Sequence, residues 1–187
     1  VQQMARTLAH RGPDHEGLWE SAEHDVCLGY RRLAILDLSP DGNQPMHADG
    51  GRYTIVFNGE IYNFVELREE LSAGAVSFRS RSDTEVLLAA IARWGLEHAL
   101  ARAVGMFALA LWDARERRLW LVRDRAGKKP LYYAVCGDGF YFASEIKALK
   151  DGAGLPLSTD ADAIHHYLSL GFIPSPCTAY REVHEVP

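Results

Sequence analysis

Three places in this 187-residue chain combine residue types that could hold or polarise a small substrate. The first is "VFNGE", Val56 to Glu60, where Asn58 and Gly59 close a β-rich apolar run. Asn-Gly is the strongest short hairpin signal, because both central positions of a type I′ turn take positive φ. No second strand follows within a few residues, since "YNFVELREEL" passes into a helical pattern. Two readings stay open: a plain structural turn, which the spacing alone favours, and a bend that aims the Asn58 amide and the Gly59 N–H at one point. Converging neutral donors are what an oxyanion hole requires.

The second place is Asp83, in the first turn of a helix opened by Ser82 and Glu85 in S-x-x-E spacing and closed by Gly95. A carboxylate there is favoured by the helix dipole, which accounts for it without function. Alternatively it accepts hydrogen bonds from a ligand ammonium. The third is Arg32, beside Arg31 in the run "VCLGYRRLAILDL". Alternation along a strand sends the two arginines to opposite faces, so one points inward. An inward guanidinium either makes a structural ion pair or grips a carboxylate with two bonds.

Other chemistry-bearing residues carry less. His10, Asp14, His15 and Glu16 lie in Gly/Pro punctuation that reads as a loop rather than a metal cage. Gly127-Lys128-Lys129 lacks the preceding glycine spacing of a phosphate loop. Cys27 and Cys136 fall within strand patterns and read as small core residues, and Cys177 has no evident base.

The elements that must position these residues follow from periodicity. Val1, Met4, Ala5 and Leu8 form a helical stripe with no initiator Met or capping residue before it, so residues are expected upstream. "VCLGYRRLAILDL" and "RYTIVF" read as strands, the second ending at Asn58, with a long loop between them. Asn63 with Glu66 resembles a capping box for the next helix. A short helix, "LEHALARA", is expected after Gly95. From Gly105, four β-type runs separated by turn signals read as an antiparallel meander covered on both faces. A helix is expected near Asp160 to Leu170, and the Pro-rich tail to Pro187 shows no core of its own.

Composition narrows the classes. A 48% hydrophobic and 24% charged chain is of ordinary globular type. A formal charge of −5 without a basic block gives a nucleic-acid partner no electrostatic support. No apolar run reaches the length of a membrane span. Three widely spaced cysteines without a C-x-x-C pair suit a reducing, cytoplasmic setting.

Taken together, "LAHRGPDHEG", "YRRLAILDLSPDGNQPM", "VFNGEIYNFVELREEL", "RSDTEVLLAA", "GMFALALWD", "VRDRAGKKPLYY" and "FASEIKAL" resemble the glutamine amidotransferase domain of the glutamine-hydrolysing asparagine synthetases. The resemblance runs in order from about His10 to Pro187. It implies an α+β, four-layer αββα N-terminal-nucleophile hydrolase fold with two stacked antiparallel sheets. Residues 1–154 would form the amidotransferase domain, and 155–187 a connection toward a C-terminal synthetase domain.

By the same resemblance, Arg32 would bind the glutamine α-carboxylate, with backbone groups of Leu33, Ala34, Ile35 and Leu36 nearby. Asn58 and Gly59 would form the oxyanion hole, Glu60 would help to hold the substrate, and Asp83 would bind the α-ammonium. A zwitterion with a distal amide needs one cation, one anion and two neutral donors, and this set supplies them. The family's nucleophile is an N-terminal Cys whose α-amine acts as the base, and none of the three cysteines stands at its place. The chain as given is therefore expected at most to bind glutamine. Tyr30, where many members have His, and Lys128, where an aliphatic residue or Glu is usual, are smaller departures.

No metal or cofactor is expected in this domain; ATP and Mg²⁺ belong to the synthetase domain, which amidates a carboxylate, aspartate by default. A sugar acid or an antibiotic precursor is an alternative acceptor. A non-catalytic glutamine-binding domain is the reading from outside enzymology. Self-association into a homodimer is left open.

Overall fold

The computed structural model describes all of residues 1–187. Its centre is a four-stranded antiparallel sheet of β3 (Met46–Ala48), β4 (Tyr53–Ile61), β5 (Gly105–Asp113) and β6 (Arg118–Arg123), in that order. Alternation along β4 divides its side chains cleanly. Tyr53, Ile55, Phe57 and Ile61 point to one face and join the largest core cluster. That face is covered by α2 (Phe64–Ala73), α3 (Asp83–Trp94) and α4 (Leu96–Arg102), chiefly through Val86, Leu87 and Ile91.

The opposite face of the sheet carries Val56, Ala110 and Trp112, which pack against Leu28 and Phe142. Leu28 lies on β2 (Cys27–Arg32), paired in a ribbon with β1 (His15–Glu20). Phe142 lies on β8 (Gly139–Ala143), the edge of a three-stranded sheet in which β7 (Tyr132–Cys136) is central and β9 (Val183–Glu185) forms the other edge. Behind this layer, α1 (Gln2–Thr7) and a short π-type turn at Ala148–Gly152 supply Met4, Ala148 and Leu149 to a second core cluster. The result is helix, sheet, sheet and helix in succession. The further helix α5 (Ala161–Leu170) is capped by Asp160, whose carboxylate accepts from the Asp162 and Ala163 N–H groups.

Several expectations need correction. The run from Val26 stops being a strand at Arg32, and Leu33, Ile35, Leu36 and Leu38 lie exposed in a loop. The "HEG" punctuation is part of β1, because pairing with β2 overrides local turn preference. The Asn63–Glu66 box does not form: the Asn63 side chain leaves its own helix to bond the Arg102 carbonyl and the Val104 N–H. The four-strand meander is split, with β5 and β6 in one sheet and β7 and β8 in the other. Only β5 is covered on both faces; β6, β7 and β8 each show exposed positions.

Two further differences concern small segments. Cys27 is exposed rather than a core residue, because it falls in the opposite phase of β2 from Leu28, Tyr30 and Arg32. The tail has a core after all: Val183 on β9 is fully buried and packs with Ala134, Ala148 and Leu155.

Candidate active site

The sharpest correction falls on Asn58-Gly59, which is no turn. β4 runs straight through both residues to Ile61, pairing Asn58 with Ala108 and Gly59 with Phe107 on β5. Glycine is required there by close approach rather than by φ. A Cβ at Gly59 would lie 2.3 Å from the Met106 carbonyl oxygen and 2.6 Å from the Phe107 Cα.

The ladder decides where the backbone donors point. Tyr62 donates to the Val104 carbonyl and Ala114 to the Arg52 carbonyl, so the hydrogen-bonded pairs of β4 and β5 fall at even positions of β4. The N–H groups of Phe57, Gly59 and Ile61 therefore face away from β5, toward the open side beyond short β3. Gln44 covers the first of them. Its Oε1 accepts from the Phe57 N–H at 2.6 Å and its Nε2 donates to the Phe57 carbonyl at 3.2 Å. Asp83 covers the third, accepting from the Ile61 N–H at 2.8 Å. Gly59, between them, turns its N–H to the same open edge with no side-chain acceptor on it.

Asn58 has the other phase of β4 and projects between the sheets. Its Nδ2 is buried and without a hydrogen-bond partner. Buried polar groups are bonded in the great majority of cases, so this unpartnered amide, next along β4 to the free strand-edge N–H of Gly59, stands out. Asn58 and Tyr30 both line a cavity of about 160 Å³ between the sheets, with Ala5, Gly29, Ala108 and Phe142 among its walls.

The charged residues flank these donors. Arg32 is buried, as strand alternation predicts, while Arg31 on the other face pairs with Glu16 at 2.8 Å. The Arg32 guanidinium donates to the Ser39 carbonyl at 2.7 Å, to Asn43 Oδ1 at 2.8 Å and to the Asp37 carbonyl. Those bonds use three of the five donors a guanidinium carries. A Cβ on Gly42 would fall 2.3 Å from one of its nitrogens, so Gly42 makes room for the group.

Asp83 keeps 6% of its surface, and burial holds its carboxyl above the usual range despite the Ile61 and Thr84 amides; the nearby Glu60 charge adds to the rise. Tyr30 feels both ends of the site. Burial pushes its hydroxyl up to about 12, with Arg32 opposing and Asp83 reinforcing the shift.

The structure thus gathers Arg32, Asn58, Gly59, Glu60 and Asp83 around one end of β4. Of the neighbouring backbone, Ala34 donates its N–H to Asp14 at 2.8 Å, and Leu33, Ile35 and Leu36 hold exposed loop positions. Sequence reasoning missed Gln44, Asp37 and Tyr30 as members of the site. Asp37 had a signal, a single carboxylate inside the apolar run "LAILDL"; Gln44 in a Pro-rich loop had none. Cys27 lines the cavity, but burial and then Glu20 raise its thiol, the reverse of an activated nucleophile.

Solved structures share this architecture. The Bacillus subtilis glutamine phosphoribosylpyrophosphate amidotransferase, complexed with ADP and GMP, matches 68% of this chain and 29% of its own with a TM-score of 0.60 at 26% identity. A structure described as the allosteric regulatory enzyme of purine biosynthesis matches with a TM-score of 0.59. The fold is accordingly that of the N-terminal-nucleophile amidotransferases.

Residues 1–187 match the model of the glutamine amidotransferase domain family, and the chain belongs to that family. It is 42% identical over 186 residues to asparagine synthetase (glutamine-hydrolysing) 1 of Bacillus subtilis, covering 100% of this chain and 29% of that protein. Against synthetase 3 of the same organism it is 38% identical over 189 residues, covering 100% of this chain and 30% of that protein. The amidase chry2 of Gibberella zeae is 43% identical over 141 residues, 75% of this chain and 21% of that protein. The chain thus spans under a third of the length of these relatives. No helix is long and apolar enough to cross a membrane.

Proposed function

We propose that this domain binds L-glutamine at the end of β4 and, within a longer polypeptide, releases its amide nitrogen as ammonia. The observation that carries the reading is the buried, unpartnered Nδ2 of Asn58 beside the open-edge N–H of Gly59. Asp83 lies on the Ile61 N–H, two residues beyond Gly59 or about 7 Å along the strand. That spacing suits one amino acid with its ammonium at Asp83 and its side-chain amide at Asn58. Arg32 takes the α-carboxylate with its remaining donors, and Glu60 supports the ammonium end.

In this reading a thiolate attacks the amide carbon, and the carbonyl oxygen gains negative charge between the Asn58 and Gly59 donors. Removing one such donor typically costs a factor of about 10²–10³ in rate. Ammonia leaves, and water then releases glutamate from the thioester. In the family that thiolate is the side chain of an N-terminal cysteine whose α-amine acts as the base.

The relatives' greater length and their names support a synthetase domain in the same polypeptide, reached through residues 155–187; in this reading it uses ATP and Mg²⁺ to amidate aspartate in a cytoplasmic setting. A different acceptor is the second reading, favoured by the likeness to a protein named an amidase rather than a synthetase. Calorimetric titration with glutamine tests the binding claim, with a dissociation constant expected for the chain and none measurable for Arg32→Ala. Undiminished affinity in that variant would overturn the assignment.

A further inference from the structure

Asp37 is the one buried residue in an outward-facing loop. Leu33, Ile35, Leu36 and Leu38 around it are exposed, whereas Asp37 keeps 9% of its surface. Exposed aliphatic side chains around a buried carboxylate invert the ordinary ranking, so specific bonds must hold Asp37 inside. There are three. Its Oδ1 accepts from the Ser39 N–H at 2.7 Å, its Oδ2 accepts from the Arg81 N–H at 2.6 Å, and its carbonyl accepts from the Arg32 guanidinium.

The Ser39 bond is a local Asx turn of a kind many loop aspartates make. The Arg81 bond is not local, since its partners stand 44 residues apart. Arg81 lies two residues before Asp83, in the turn that opens α3. One carboxylate therefore joins the loop that leaves Arg32 to the turn that presents Asp83. No other hydrogen bond links residues 33–39 to residues 79–83.

We infer that Asp37 is a positioning residue for the substrate clamp: it holds the Arg32 loop in register with the Asp83 turn, so that cation and anion meet one zwitterion at a fixed separation. The inference rests on the glutamine reading above. A clamp set before the ligand arrives spares the cost of ordering its two ends at the moment of binding. Asparagine at this position can keep one accepting oxygen, but it must present an NH₂ to the other backbone N–H, donor against donor. One of the two bonds, the local one from Ser39 or the one from Arg81 across the site, is then lost while the size of the side chain is kept.

The test is calorimetric binding, with thermal unfolding as a control, on wild type, Asp37→Asn and Asp37→Glu. Two ligands are compared: L-glutamine, and its analogue without the α-amino group, measured by competition. The analogue engages Arg32 and the amide donors but has nothing for Asp83. Asp37→Asn is expected to weaken glutamine about tenfold or more and the analogue by less than about threefold. Asp37→Glu, which keeps both accepting oxygens on a longer stem, is expected to recover part of the loss. If Asp37→Asn does not fold, Asp37→Glu carries the same comparison, with glutamine again losing more than the analogue. Equal losses for both ligands would make Asp37 merely structural and overturn the inference, as would unchanged glutamine binding. A wild-type chain that takes up neither ligand would instead overturn the glutamine reading itself.

Discussion

Replacing Asp83 by asparagine separates what this residue does for binding from what it costs the fold. Asp83 is buried, and burial raises its carboxyl above the ordinary range. A folded-state pKa above the unfolded one means that the protonated form is favoured by folding. The associated stability is fully present below the unfolded pKa and is lost as pH rises through the raised folded value. At neutral pH the ionised Asp83 is thus a net liability to the unliganded domain. The Asp83→Asn side chain keeps an oxygen for the Ile61 N–H, which Asp83 holds at 2.8 Å, and removes the buried charge. Asp83→Asn is therefore expected to melt at or above the wild-type temperature.

Binding should move the other way. Removing one partner of a buried, hydrogen-bonded charge pair costs roughly 2–5 kcal/mol. That corresponds to a weakening of glutamine by about 30-fold to several thousand-fold. Paired calorimetric titration and thermal unfolding at pH 7 read both quantities. Wild-type affinity should also fall as pH is lowered toward the raised pKa of Asp83, because only the carboxylate attracts the ammonium. Glutamine affinity within about threefold of wild type in the variant, or a melting point several degrees lower, would refute the reasoning.

Gly59→Ala should destabilise the domain by about 1–3 kcal/mol or more in urea unfolding, since its Cβ has no room against the Met106 carbonyl and Phe107. Survival at wild-type stability would mean that β4 and β5 are not in this register. Val183→Ala should cost about 2 kcal/mol in the same assay, because a fully buried β9 side chain loses two methyl groups. An unchanged midpoint would show the tail to be a mere connector.

The helices were legible because their signals are local. Ser82 caps α3 and accepts from the Glu85 N–H, and Gly95 ends it at φ 83°, as the spacing predicts. Asp160 caps α5 in the same way. The strands were legible as β-type runs but not as partners. β6 and β7 are neighbours in the chain yet go to different sheets, and β7 pairs with the distant β9; local pattern cannot choose among such pairings. Asn63 shows the limit within a helix signal, since a tertiary contact with Arg102 and Val104 outcompetes its own cap.

By itself the sequence singled out the groups proposed to meet the substrate: an inward arginine, an amide beside a glycine, and a carboxylate opening a capped helix. Their types follow from the needs of a zwitterion with a distal amide, and their resemblance to one family adds the roles. Only the tertiary structure decided how Asn58 and Gly59 become donors. Local preference reads the pair as a turn, but pairing with β5 keeps it straight and sends alternate N–H groups to the open edge of the sheet. Gln44 and Asp83 satisfy the neighbours on that edge. Gly59 is left with a free N–H on that edge because the fold closes it on either side and not between, and the neighbouring Asn58 amide is left unpartnered between the sheets.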